Sequence, residues 1–438
     1  MFTASHSLFL GSDRTVWSIS LLFSYFFRNL AHSFIYNLYL HTRTTHHYQP
    51  QQILQPQNKN QFQDNFNLKR SSPNATMPPA PSSKKRRRTS EAADFCQPIV
   101  FISPGNKPDV RLMVFKQAFH VHSHILKERS NFFRKFLDSP DKQDVPVADS
   151  ALFKYEYRTV VDDDGTWGLE PVATATSLTN ETMSQVKKLH REIECFGYLL
   201  CAMYNRPYKI NRVEELEVLT RHADFYCALP VVSATLTNAL LGSLIFEPDQ
   251  THDPYIADPY TRDADKVILL AFKLRHSALF REYLIHVVSN WKRFDLPVFF
   301  PEIHQHATIR PLIQAKYLEL CEKVMDASHA ILAGNMTNYS PVCTALKKTY
   351  TALFDMDDDR IHKCKATEFA AFYYHLREAF ESQNFRGTQL DSVMTLLKNN
   401  LIFDRSKLSP GKGMYTSCFL CTEIADEEMP WDTTAVDW

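Results

Sequence analysis

The sequence predicts an α+β domain, a small sheet with helical hairpins, followed by a mainly α-helical domain and preceded by a disordered N-terminus. Three observations predict it. Asp109 to Phe115 alternates in β-rich residues, and a second short run, Ala118 to Val121, follows Lys116-Gln117. Beyond that hairpin, apolar residues recur at helical spacing through most of the chain. Only 10 of the 438 residues are glycine, which argues against Gly-rich nucleotide loops and for a largely helical protein.

Composition sets further bounds. Lys plus Arg and Asp plus Glu both total 49, so no global charge draws the chain to nucleic acid or to a membrane. The 9 cysteines are odd in number and scattered, the pattern of reduced thiols rather than of a disulfide framework. On that reading the sequons at Asn74, Asn180, Asn335 and Asn338 are silent, because glycosylation requires the secretory route.

Residues 1–94 read as a disordered leader. Val16 to Leu40 is apolar but is broken by Arg28, Asn29, His32 and Asn37, whereas a membrane span needs about 20 apolar residues. His41 to Asn67 is rich in Gln, Asn and His and cannot bury a core. Met77 opens a Pro/Ser-rich stretch and is a candidate true start of the chain. Lys84, Lys85, Arg86, Arg87 and Arg88 then form an unbroken basic run in flexible surroundings. Such a run is an expected nuclear-import signal, or a contact arm for nucleic acid. A solvated linker is the plainer alternative.

The first folded unit is expected over 95–245, with an insertion near 140–190. His122 to Glu128 begins the helical part, Ser130 is placed to cap the next helix, and Asn131 to Leu137 presents Phe132, Phe133, Phe136 and Leu137. Tyr155 to Val161 reads as a strand ending in the turn Asp162-Asp-Asp-Gly165. Phe196, Leu199, Leu200, Met203 and Tyr204 form one helical stripe, and Leu216, Leu219, Ala223 and Tyr226 another, with Leu229 to Leu240 as the closing helix.

These residues resemble a BTB/POZ domain. The match runs through Asp109-Val-x-Leu-x-Val, Phe119-x-Val-His122, Ile125-Leu126, Arg129-Ser130-x-Phe-Phe133, the helix ending in Tyr204, and Ala223-Asp224-x-Tyr226. It covers about a third of the chain and is nearest to fungal-type members with long helical extensions. The resemblance implies a protein-interaction adaptor, not an enzyme, working through a face that includes Asp109, His122, Phe132 and Phe133. Its expected partners are a second copy, another BTB protein or a cullin, in a transcription or ubiquitin-ligase complex. The family's basic partner for the residue at Asp109 is missing, since Ser123 and His124 occupy that region. The alternative function is a chromatin- or DNA-associated regulator using Lys84 to Arg88. Neither nucleic acid nor a membrane is the expected partner on the adaptor reading.

A helical domain is expected over 260–405, with stripes at Phe280, Leu284, Val287, Val288, Trp291 and Phe294 and at Phe369, Phe372, Tyr373, Leu376 and Phe380. Residues 406–438 read as an acidic tail carrying Cys418-x-x-Cys421. No cofactor is expected, with zinc as the exception to consider. Cys418 and Cys421 supply half a tetrahedral site, His362 and Cys364 are the candidates for the rest, and Gly411 and Gly413 would allow the tight backbone turn. Other metal patterns fail on chemistry. Asp355, Asp357 and Asp359 have calcium-loop spacing, but Arg360 stands where the turn needs Gly and Ala366 where the loop needs Glu. His120, His122 and His124 alternate but straddle a strand and a helix start.

The basic run carries a direct test. Replacing Lys84 to Arg88 with alanines should move a fluorescently tagged chain out of the nucleus; an unchanged distribution makes the run a solvated linker.

Overall fold

A computed structural model describes residues 97–139, 152–172, 188–246, 263–291, 300–334, 341–354, 369–404, 406, 408–435 and 438. The leader, Lys84 to Arg88, the insertion at 140–151 and 173–187, His362 and Cys364 lie outside the described residues.

The alternating run folds as expected into an antiparallel hairpin of β2, Val110–Val114, and β3, Gln117–Val121. Its turn forces Phe115 to a φ of 54°, which a bulky residue adopts only under tertiary constraint. The constraint is visible: Phe115 N–H donates to Thr159 Oγ1 at 2.9 Å, and its ring lies edge-on to Trp167 at 5.2 Å. β1, Ile99–Val100, runs parallel to β3; β4, Tyr155–Val161, runs parallel to β2; and β5, Trp167–Pro171, closes the other edge antiparallel to β4. The sheet is therefore small and mixed, in the order β1-β3-β2-β4-β5. Period-two alternation turns Val110, Leu112, Val114, Tyr157 and Thr159 inward, all buried.

Directly after β3 come two short helices, α1, Ser123–Arg129, and α2, Asn131–Leu137. Ser130 caps α2 as its position predicts, accepting from Phe133 N–H at 3.1 Å, while its hydroxyl donates to Tyr226 O at 2.6 Å. Three longer helices follow: α3, Leu189–Met203, α4, Val213–Phe225, and α5, Leu229–Leu240. They meet the hairpin through aromatic contacts. Phe133 stacks on Tyr226 at 5.2 Å, and Phe196 sits edge-on to Tyr226, Phe119 and Trp167 at 5.5, 5.7 and 5.9 Å.

The remaining helices are α6, Ala264–Lys273, α7, Ser277–Ser289, α8, Pro301–Gln305, α9, Ile309–Gly334, α10, Pro341–Phe354, α11, Phe369–Ser382, and α12, Thr388–Leu396. The described part of the protein is thus mostly helical. One buried core runs from Phe101 through α7 to Cys421 and Met429. Polar contacts cross the expected boundary between the two units: Lys273 pairs with Asp224 at 2.6 Å, and Thr237 Oγ1 lies 2.9 Å from His276 Nε2. The acidic tail is also packed, with Tyr415, Cys418, Leu420 and Cys421 buried. Gly411 and Gly413 have φ of 83° and 59°. A Cβ on Gly411 would come within 2.2 Å of Ala370 O, so only glycine fits there.

Among the buried histidines, burial favours the neutral form of His222, His276 and His286. Burial holds His276 and His286 at about 4, below the ordinary 6.5, and lowers His222 as well. His276 caps α7, its Nδ1 accepting from Leu279 N–H at 3.1 Å, so Nε2 carries the proton and donates to Thr237 Oγ1. A folded value below the unfolded one contributes stability that is complete above pH 6.5 and is lost as pH falls through about 4. The contribution of His276 is bounded at about 3 kcal/mol. His276→Asn, which keeps a capping acceptor, should flatten the dependence of unfolding free energy on pH between 6.5 and 4, by up to about 1.4 kcal/mol per pH unit. Urea denaturation across that window measures it, and an unaltered slope would show that His276 titrates normally.

Candidate protein-interaction face

The face expected from sequence is built around the junction of β3 and α1. The helix begins at Ser123 with unpaired N–H groups, and His122 provides no side-chain cap. Asp109, just before β2, does so from across the hairpin. Its Oδ1 accepts from Ser123 N–H at 2.7 Å and its Oδ2 from Ser123 Oγ at 2.6 Å. A carboxylate is favoured there by the positive end of the helix dipole. The same residue starts the next strand, because Asp109 O accepts from Lys154 N–H at 2.9 Å and Tyr155 N–H at 3.1 Å.

His122 is held from the other side. Its N–H donates to Tyr204 Oη at 2.7 Å, its Nδ1 lies 2.8 Å from the same oxygen, and its Nε2 lies 3.3 Å from Asn106 O. A carbonyl only accepts, so Nε2 bears the proton and Nδ1 accepts from the Tyr204 hydroxyl. Burial pushes the Tyr204 phenol above its ordinary pKa, opposed by the His122 amide and by Arg206. Arg206 covers this joint: its guanidinium lies 5.0 Å from the Phe101 ring and 5.8 Å from the Tyr204 ring, and it donates to Ile102 O at 3.1 Å.

The four expected face residues therefore fall into different environments. His122 is 1% exposed and Phe133 is fully buried. Their side chains serve the core, for a physical reason: His122 spends its ring on two internal hydrogen bonds, and Phe133 is the partner that Tyr226 stacks on. Asp109 is half-buried with both carboxylate oxygens engaged. Phe132 is half-buried and opens outward, stacked on Phe136 at 5.0 Å and lying 5.6 Å from Phe225. Lys127, on α1, pairs with Asp138 rather than with Asp109.

The surface carries apolar groups that sequence reasoning missed. Ile99 and Val100 on the edge strand are 45% and 44% exposed, Ile102 just beyond it is 71% exposed, and Phe225 beside Phe132 is 53% exposed. Their signal was weak: β1 is two residues long, and Phe225 falls inside the helical stripe that ends at Tyr226. Cys418 and Cys421 are both buried free thiols. Burial raises the Cys421 thiol above its ordinary pKa, which opposes a thiolate. Among the described residues, no group of three or more His, Cys, Asp and Glu is placed to hold a metal, His120, His122 and His124 included. No helix of the described residues is long and apolar enough to cross a membrane.

Comparison with known protein families, with curated proteins and with solved structures returned no match.

The joint makes opposite predictions for two buried tyrosines. Tyr204→Phe strands His122 N–H and Nδ1 and should destabilise the protein by about 2–3 kcal/mol. Tyr226 is 1% exposed, and its hydroxyl has no hydrogen-bond partner among the described residues. Tyr226→Phe should therefore be neutral or stabilising by up to about 1 kcal/mol. Urea midpoints at unchanged m-value measure both, and equal losses would remove the special role of Tyr204.

Proposed function

We propose that the chain is a protein-interaction adaptor of the BTB/POZ type. The observation that carries the reading is the order of elements around the joint. A hairpin, β2–β3, leads into two short helices, α1–α2, and then into a strand, β4, that returns parallel to β2; the helices α3, α4 and α5 follow. The quoted sequence motifs fall on these elements in turn. Asp109 opens the hairpin, His122 stands at the helix start, Ser130 is the cap of α2, and Tyr204 ends α3.

The surface supports binding rather than mere folding. An edge strand offers unpaired backbone groups along its outer side, and solvent-exposed apolar side chains on it are a template for another chain. β1 has both, with Ile99 and Val100 exposed on it and Ile102 exposed just beyond it. Phe132, Phe136 and Phe225 add an aromatic surface at the end of α2. A second copy is the proposed partner of the β1 edge, and another BTB protein or a cullin the proposed partner of the α2 surface, in the nucleus if Lys84 to Arg88 act as an import signal. The function needs no cofactor and no catalytic step.

Sedimentation velocity of the full chain over a hundredfold concentration range tests the reading. Dimers should form at micromolar concentration, and Ile99→Lys with Ile102→Lys should return the chain to monomer with its thermal midpoint unchanged. A chain that stays monomeric throughout, or dimers indifferent to both substitutions, would overturn self-association through β1.

A further inference from the structure

Residues 418–431 form no long helix or strand, only a 3-10 turn at Asp426–Glu428. Yet Cys418, Leu420, Cys421 and Met429 are buried. A buried segment without secondary structure must satisfy its carbonyls elsewhere. Here side chains of α7, α9 and the stretch after α12 do it. Ser289 Oγ, at the end of α7, donates to Phe419 O. Lys323 Nζ on α9 donates to Cys421 O at 3.3 Å, Asn400 Nδ2 beyond α12 to Thr422 O at 3.1 Å, and Arg281 Nε on α7 to Ile424 O at 3.4 Å.

The side chains of the segment are matched in the same way. Glu423 pairs with Lys398, Asp426 with Arg281, and Glu428 with Lys316 at 2.7 Å. Trp431 closes the run, edge-on to Phe280 at 5.1 Å and 6.0 Å from Phe272. Lys316 is 5% exposed, and an ammonium so placed is costly unless a carboxylate faces it. Main-chain groups caught by side chains, anchors in pockets and charges paired across a rim are the means by which a groove reads an extended peptide.

We propose that the groove between α7, α9 and the end of α12 is a peptide-binding site, filled in this chain by its own residues 418–431, and that the partner it fits is an extended acidic segment with an aromatic anchor on a second protein. This goes beyond the adaptor reading and does not depend on the β1 edge. The resident segment is tethered, so it competes at an effective concentration on the order of millimolar. An incoming segment must displace it, and displacement then frees the resident one.

The test uses the full chain with a protease site inserted between Thr416 and Ser417, both exposed. After cleavage, a labelled synthetic peptide of residues 417–435 should exchange into the groove while the far-ultraviolet helical signal holds. The uncut chain should take up at least about tenfold less peptide. Raised salt should weaken the exchange, and Arg281→Glu with Lys398→Glu should lower peptide affinity more than about tenfold. A fragment that leaves only when the helices unfold overturns the proposal, as does binding indifferent to salt and to both reversals. If the inserted site prevents folding, amide exchange on the unaltered chain decides. Amides of 418–431 should then open well before those of α7 and α9, and equal protection would make the segment a fixed part of the core.

Discussion

The first half of the molecule depends on how the chain turns between β3 and α1. Two polar contacts fix that turn from opposite sides. The Asp109 carboxylate caps α1 through Ser123, and the Tyr204 hydroxyl engages both the amide and the ring of His122. Hydrogen bonds to a charged group each contribute about 1.5–3 kcal/mol, and leaving a buried partner unsatisfied costs a similar amount. The turn cannot open cheaply. Because Asp109 O also receives the first amides of β4, the strand that completes the inner sheet is positioned by the residue that caps the helix. Hairpin, helix pair and third strand thus share one origin.

A second constraint attaches β5. Glu192 on α3 is nearly buried and is surrounded by donors: Trp167 Nε1 from β5 at 3.2 Å, Arg221 at 2.6 Å and His222 Nε2 at 2.8 Å. Burial alone would raise its carboxyl, but the hydrogen bonds from His222 and Arg221 and the charge of Arg221 prevail and hold it below the ordinary carboxylate range. Burial also keeps His222 below its ordinary value, so the imidazole acts as a neutral donor and Arg221 supplies the charge. Trp167 is fixed at both ends, its nitrogen on Glu192 and its ring against Phe115 and Phe196. That fixing in turn holds Phe115 in its strained turn. The inserted strand is therefore part of the core.

Local periodicity made much of this legible in the sequence. The alternation of 109–121, the Ser130 cap, the strand at Tyr155–Val161 and the helix at Leu229–Leu240 are each set by neighbours a few residues apart, and each is observed. What could not be read depends on distant residues. β5 contains Gly168 and Pro171 and has no alternating pattern; it exists because β4 and Glu192 receive it. The inward turn of Phe133 depends on Tyr226, far along the chain. The acidic tail has too little periodicity to look folded, yet its carbonyls are satisfied by serine, lysine and arginine side chains on α7 and α9 and by Asn400 beyond α12. The candidate surface was legible only where a motif named it, and His122 shows the limit of that reading. The spacing that marked it also made it a joint.

The scarcity of glycine shapes the exposed edge as well. Helices that end in a left-handed residue favour glycine there, but α3, α4, α6 and α11 end with Asn205, Cys227, Arg275 and Asn384 at φ of 49° to 52°. Each costs about 1–2 kcal/mol of backbone strain, less for asparagine. Each returns hydrogen bonds to the orphan carbonyls: Arg206 N–H reaches Cys201 O at 2.8 Å and Ala228 N–H reaches Ala223 O at 2.7 Å. The consequence at α3 is directional. A left-handed Asn205 swings the next residue back over the helix end, which places Arg206 on Phe101 and Tyr204 and against Ile102 O. β1 is only two residues long and has a single ladder, to β3, so this clamp adds to the hydrogen bonds of Phe101 N–H to His120 O and of Gln117 Nε2 to Gln97 O in holding so short a strand. An unclamped β1 would fray; a clamped one holds the exposed Ile99 and Val100 in a fixed position. The conformation of one residue at the end of a helix thereby helps to fix an edge strand about a hundred residues earlier.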